Sequence, residues 1–140
     1  MANGRDEDIL LNRIRQVQSF KEIEPSEYTM PGGFAEQLAK SERKMKTAQL
    51  RKFFTKVKNI ERGLKGKKEE LDQATKDELY LIIPELAYAV GRDELVTRRF
   101  FNIVTTVIKD KLKSVDDFRN FSRFMTALVA YKKAYEKGGR

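Results

Sequence analysis

Apolar residues recur at helical spacing along most of this chain, and this periodicity constrains its fold more than any other feature. The clearest example is an i, i+3, i+4, i+7 pattern, typical of a helix packed on a core, formed by Leu50, Phe53, Phe54, Val57 and Ile60. The 140 residues include only three prolines and eight glycines, which favours long helices over many short strands. The sequence therefore predicts an all-α fold: a compact bundle of about five helices with an N-terminal helical or extended arm.

Proline and glycine divide the predicted helices. The first helix is expected over residues 6–20, and Pro25, Pro31 and the Gly32-Gly33 pair predict a loop after it. We therefore expect residues 1–33 to form an arm and loop, and residues 34–140 to form the helical-bundle domain.

Several helix ends are also predicted within the bundle. Thr47 is the expected N-cap of the third helix, although that helix could instead be fused to a second one over residues 34–46. Pro84, inside the apolar run of the fourth helix, predicts a kink or a break. Gly91 is expected just beyond the end of that helix.

The last two helices have predicted starts of different kinds. The fifth is expected over residues 93–112, with a broad apolar arc that predicts the most buried helix of the bundle. Ser114 and Asp117, three residues apart, predict a capping box at the start of the last helix.

Positive charge is concentrated in one segment. The whole chain has a formal net charge of +8. Residues 40–68 hold twelve basic and two acidic residues, a net of +10, whereas the remainder holds seventeen basic and nineteen acidic residues, a net of −2. A solvated surface usually mixes the two signs, so this concentration indicates a polyanionic partner, nucleic acid first.

Helical geometry divides the basic residues of the third helix into two stripes. Arg51, Lys58 and Arg62 fall within roughly 40° of one another, and Lys52 and Lys56 form an i, i+4 pair on the opposite flank. Like charges at this spacing are mildly unfavourable in a free helix, which favours a bound anion. Beyond Gly63, the lysines 65, 67 and 68 are expected to lie in a mobile loop.

A second basic surface is predicted from Arg92, in a turn after a glycine, together with Arg119 and Arg123 on the last helix. For the two helix arginines taken alone, simple solvation is the favoured reading. Most phenylalanines follow core spacing, and only Tyr28, Tyr131 and Tyr135 are candidates for exposure. Contact with phosphate and ribose is therefore expected rather than base reading.

The composition excludes several kinds of site. With no cysteine and no histidine, the chain cannot build a Cys/His zinc site or use a Cys- or His-based nucleophilic mechanism. Adjacent carboxylates lie near predicted helix starts, where the helix dipole accounts for them. We expect no catalytic residues, no metal, no cofactor and no membrane segment, and a soluble cytoplasmic protein.

Three strings resemble the small subunit of type III-A (Csm) CRISPR effector complexes. They are TAQLRKFFTKVKNIE at residues 47–61, LIIPELAYAVGR at 81–92 and FRNFSRFMTALVAYKKAY at 118–135. The resemblance covers roughly residues 34–135. It implies a non-catalytic helical bundle, stacked in copies along a ribonucleoprotein filament in antiviral defence, which contacts the backbone of the crRNA–target RNA duplex without reading its sequence. The implied partners are crRNA, target RNA, the backbone subunit, the large polymerase-like subunit and further copies of the chain.

The resemblance carries an RNA-contact role to four residues: Arg51, Lys52, Arg92 and Arg119. Lys56, Lys58, Arg62 and Arg123 are added from helical geometry alone. Two other readings are a helical protein–protein scaffold with an incidental basic surface, and a helix-turn-helix DNA binder. The second fits poorly, because the helix after Gly91 is too apolar to read bases.

Overall fold

The computed structural model describes residues 9–64, 66, 69–92 and 96–138, and within them helices account for nearly all regular structure. The α-helices are α1 Ile9–Gln16, α2 Pro25–Thr29, α3 Phe34–Ser41, α4 Thr47–Arg62, α5 Gln73–Gly91, α6 Arg98–Thr106 and α7 Val115–Gly138. A 3-10 turn spans Phe20–Glu22, and a π-helical turn, Val107–Lys111, follows α6 directly. The described β-pairing is one isolated bridge, between Glu70 and Ser114. The predicted all-α bundle is therefore confirmed.

The last helix, α7, is the centre of the bundle. It packs against α3, α4, α2 and the 3-10 turn, and its inward face buries Phe118, Phe121, Phe124, Met125 and Leu128. Its start is fixed by the predicted capping box. The Asp117 N–H donates to Ser114 Oγ over 3.1 Å, and the Ser114 N–H donates to Asp117 Oδ2 over 3.0 Å.

Residues 9–33 pack into the same core as the rest of the chain instead of extending from it as an arm. The Phe20 ring lies edge-on to Phe121 and Phe124, with centroids 5.7 and 6.0 Å away. The buried Tyr28 hydroxyl donates to the side-chain and backbone oxygens of Asn120, each over 3.2 Å. The predicted loop over residues 21–33 contains α2, because Pro25 is well suited to the first position of a helix. Residues 1–8 lie outside the described part of the chain.

The boundary between the second and third predicted helices differs from expectation. α3 ends at Ser41, and α4 begins after Lys46, which is its N-cap. The prediction of Thr47 as N-cap is therefore wrong: Thr47 is already helical, and its N–H donates to Glu136 Oε2 on α7 over 3.1 Å. A carboxylate from a neighbouring helix thus replaces the expected local cap, and the alternative of one fused helix is excluded.

Proline and glycine in the fourth predicted helix have weaker effects than expected. α5 continues through Pro84, so the predicted break is absent from this helix, and Pro84 itself is exposed. Gly91 is the last helical residue rather than the residue beyond the helix, and Arg92 is the C-cap. α6 begins at Arg98, later than predicted, because Thr97 caps it by accepting from the Phe100 N–H over 3.1 Å.

Candidate nucleic-acid interface

α4 lies between α5 and α7 and positions most of the predicted RNA-binding residues. Its apolar face is buried at Leu50, Phe53 and Val57. On one flank, Ser122 of α7 donates to Glu61 over 2.7 Å. On the other flank, Lys56 forms an ion pair with Glu85 of α5 at 3.2 Å. The two predicted basic stripes therefore lie on opposite sides of α4, one beside α7 and one beside α5.

The surface beside α7 carries the first stripe, and we call it the α4/α7 face: Arg51, Lys58, Arg62, Arg119 and Arg123. The Lys58 ammonium lies 3.3 Å from Glu61 and 5.5 Å from the centre of the Phe54 ring. The exposed Arg62 donates to the neutral Asn59 amide over 2.8 Å. Arg51 is also exposed, and within the described residues it has no hydrogen bond or ion pair.

The two arginines that α7 contributes to this face, Arg119 and Arg123, are one helical turn apart. Ser122, which lies between them in sequence, is the residue that contacts α4. The exposed Arg123 lies 3.4 Å from the Asn120 side chain. Burial raises the pKa of Tyr28 to about 12, while the charge of Arg123 acts in the opposite direction, which places Arg123 near the N-terminal segment. Arg119 is half-buried.

The surface beside α5 is a groove, and we call it the α4/α5 groove. It holds two cavities of about 300 and 290 Å³ that share Lys56 and Glu85, the ion pair that crosses it. Lys52 and Arg92 line the first cavity from opposite sides. The prediction that Arg92 would join Arg119 and Arg123 is therefore wrong, because the packing of α5 on α4 brings its C-terminal end next to Lys52.

Sequence reasoning missed an exposed apolar stripe on α5. Leu81 and Tyr88 are 68% and 67% exposed, and Pro84 lies between them on the same side of the helix. The sequence of α5 contains more apolar residues than one buried face needs, and this excess could have indicated the stripe. The buried face alone accounts for Leu79, Ile82, Leu86 and Ala89.

The exposed tyrosines are also not the predicted ones. Tyr28 is fully buried, and Tyr131 and Tyr135 are half-buried with hydroxyls that donate to Thr29 O and to Glu36. The strongly exposed tyrosines are Tyr80 and Tyr88, on α5. Since no described tyrosine of the α4/α7 face offers a free ring, that face presents charge rather than a stacking platform.

The described residues contain no group of three or more Asp or Glu side chains arranged to hold a metal ion. None of their helices combines the length and the apolar character that a membrane crossing requires.

Comparison with known proteins gives one match. A family model described as Csm2 Type III-A matches residues 27–138, a range that includes all eight predicted RNA-binding residues. No match was found among curated proteins or among solved structures.

Proposed function

Because the chain belongs to the Csm2 Type III-A family and is thus a small subunit of the type III-A CRISPR complex, we propose that its α4/α7 face binds the phosphate backbone of RNA. The RNA is the crRNA–target duplex or the target strand, contacted without sequence preference. The protein has no catalytic role in this proposal, and strand pairing supplies all sequence specificity, as in other RNA-guided complexes.

The observation that carries this proposal is the charge balance of the α4/α7 face. The face carries five cations from two adjacent helices, and the carboxylate that pairs with one of them among the described residues is Glu61, which contacts Lys58 and Ser122. Within the described residues, the four arginines of the face form no ion pair. A guanidinium is planar, permanently charged and suited to two-point contact with phosphate oxygens.

The shape of the face also favours backbone contact. Two helices packed side by side, with axes typically about 8–10 Å apart, form a surface that is too broad to enter a groove of a nucleic acid. The Phe54 ring, which lies 5.5 Å from the Lys58 ammonium, is half-buried. Phosphates on the outside of a nucleic acid are the groups that such a surface can reach.

The α4/α5 groove supplies a second and weaker RNA contact in this proposal. Lys52 and Arg92 face the groove without a described ion pair, but Glu85 partly neutralises Lys56. The apolar stripe of Leu81, Pro84 and Tyr88 borders the same groove, and an exposed apolar stripe is typical of a protein contact. We assign it to a neighbouring protein subunit of the filament, either another copy of this chain or a different Csm subunit.

RNA on the α4/α7 face and protein on the α5 stripe are compatible because these two surfaces lie on opposite sides of α4. RNA bound on the α4/α7 face leaves the α5 stripe open to protein. The alternative function, a scaffold whose basic surface is incidental, retains the stripe but not the RNA contact.

The salt dependence of RNA binding by the purified protein tests the proposal. Each lost phosphate contact should lower the slope of log K against log salt by about 0.7 for single strands and about 0.9 for duplexes. The double variant Arg51→Ala/Arg62→Ala should therefore lower the slope by roughly 1.4–1.8 for RNA of any sequence.

Arg15→Ala/Lys109→Ala is the matched control, since it removes the same charge from exposed residues on α1 and on the turn after α6. Both variants should retain the circular dichroism and the melting temperature of the wild type. If the two double variants lowered affinity and slope equally, the effect would be one of net charge, and the assignment of the α4/α7 face would be wrong.

A further inference from the structure

A large basic cleft lies apart from both surfaces, between the C-terminal end of α3, the connector to α4 and the last turns of α7. Its volume is about 910 Å³, compared with about 580 Å³ for the next largest of the described cavities. The charged and aromatic residues that line it are Lys40, Arg43, Lys46, Lys132, Tyr135 and Glu136. None of them belongs to the α4/α7 face or to the α4/α5 groove.

Lys132, at the floor of this cleft, is a buried cation whose charge is not directly paired. It is 6% exposed, and its ammonium donates to the carbonyl oxygens of Glu42 and, over 3.5 Å, of Ala39. In the described part of the chain no carboxylate lies within 4 Å of it. Burial lowers the pKa of Lys132, and the more distant charges of Glu42 and Glu136 oppose this effect.

A buried charge is costly unless an opposite charge or a full set of hydrogen bonds compensates it. An ammonium has three N–H donors, and the two carbonyl oxygens accept two of them. One donor of the Lys132 ammonium therefore has no described acceptor, and this residue lines the cleft.

The rim of the cleft adds three exposed cations, Lys40, Arg43 and Lys46. The nearby carboxylates are already engaged by other groups. Glu136 accepts from the Thr47 N–H over 3.1 Å, which lowers the pKa of Glu136, and Glu36 accepts from the Tyr135 hydroxyl. The cleft is thus lined by four cations and one carboxylate, Glu136, so that positive charge exceeds negative charge there.

We propose that this cleft is a phosphoryl-binding site, with Lys132 at its floor and Lys40, Arg43 and Lys46 at its rim. A phosphoryl group has several acceptor oxygens and a negative charge, so it can compensate Lys132 and accept from the cations at the rim. The volume lies within the range of sites that hold a small ligand. The phosphoryl group belongs either to a free nucleotide or to a strand of RNA, and the two sources can be separated experimentally.

The first experiment measures thermal stability against inorganic phosphate and AMP, with sodium chloride at equal ionic strength as the reference. A ligand that binds only the folded state raises the melting temperature with increasing concentration. We expect phosphate or AMP, but not chloride, to raise the melting temperature of the wild type. The rim variant Lys40→Ala/Arg43→Ala/Lys46→Ala, which changes only exposed side chains, should lose this increase.

Lys132→Met keeps much of the side-chain volume and removes the buried charge. It should abolish the phosphate-dependent increase, measured for each protein against its own ligand-free melting temperature, because Lys132→Met also removes the donor of two carbonyl oxygens. Arg51→Ala/Arg62→Ala, on the α4/α7 face, should keep the full increase, so that failure of the RNA-binding proposal and failure of this one are distinguishable.

The second experiment measures RNA affinity of the rim variant. If phosphate and AMP stabilise the wild type and the rim variant binds RNA normally, the site takes a free nucleotide or phosphate. If the rim variant loses RNA affinity, with or without an effect of the small ligands, the site takes a strand phosphate. A rim variant that matches the wild type in both RNA affinity and phosphate response would overturn the proposal.

Discussion

Replacing Phe20 by alanine tests whether the N-terminal segment is part of the core. Phe20 is 1% exposed, and the ring centroids of Tyr28, Phe121 and Phe124 lie 6.1, 5.7 and 6.0 Å from its own. Removing a fully buried phenylalanine typically costs about 3–5 kcal/mol, from lost apolar burial and the cavity left behind. Three aromatic neighbours place this site in the upper half of that range, because each edge-on or tilted pair contributes beyond its buried area.

A loss of about 4 kcal/mol is a large part of the roughly 5–15 kcal/mol by which a domain is usually stable. Urea unfolding followed by circular dichroism should show a lower midpoint with an unchanged m-value, and the melting temperature should fall by roughly 10–20 °C.

Ile9→Ala, in the same segment but at a side chain that is 55% exposed, is the matched control and should stay within about 0.5 kcal/mol of the wild type. If Phe20→Ala were equally mild, the packing of residues 9–33 against α7 would be wrong and the segment would be an arm.

Two further predictions concern charge and assembly. Arg13 donates two hydrogen bonds of 2.9 Å to Glu27 and lowers the pKa of Glu27. This carboxylate therefore stabilises the fold at a pH above its pKa in the unfolded chain, and the stabilisation is lost as the pH falls through its pKa in the folded state. Glu27→Gln should therefore lower the free energy of unfolding near pH 7 by at most about 1 kcal/mol, seen as a lower melting temperature. The difference in melting temperature from the wild type should vanish in acid, and a difference that persisted unchanged at low pH would contradict this role of the carboxylate. Leu81→Glu should leave folding intact but reduce co-purification with the other subunits of the complex. Ala87→Glu, at an exposed position of α5 outside the apolar stripe, should leave co-purification unchanged. Equal losses of co-purification in the two variants would rule out the stripe as the protein contact.

The features that the sequence predicted correctly are those encoded by nearby residues. Helical periodicity defines the buried face of α4 and the separation of its two basic stripes, because both depend only on spacing along one helix. The capping box of Ser114 and Asp117 is likewise formed within one turn. Such features need no knowledge of which helix lies alongside.

The features that it did not predict depend on contacts between distant segments. Pro25 and Gly32 indicated a loop, yet the segment folds because Phe20 and Tyr28 reach the core formed by α7. Gly32 does form a turn, with a φ of +85°, but the turn joins two short helices and ends no domain. Thr47 was assigned the N-cap on local preference, while the stabilising contact came from Glu136, 89 residues away.

The candidate site shows the same limit. Arg92 was grouped with Arg119 and Arg123 although its position in a turn after a glycine says nothing of its neighbours, and the packing of α5 on α4 places it beside the same cavity as Lys52. Lys132 had no distinguishing local pattern, since a lysine near the end of a helix is ordinarily solvated. Only the fold shows that its ammonium is buried against the connector between α3 and α4.

The two flanks of α4 also explain how one short helix tolerates so many cations. On each flank one carboxylate forms an ion pair with one lysine: Glu61 with Lys58, and Glu85 with Lys56. This reduces the repulsion between like charges at i, i+4 on either side. The arginines of the α4/α7 face are left without a carboxylate within the described residues, and a guanidinium remains charged under all physiological conditions. Lys56 and Lys58 thus form ion pairs within the fold, whereas the proposed function requires unpaired cations, and Arg51 and Arg62 are therefore the most direct test of RNA binding.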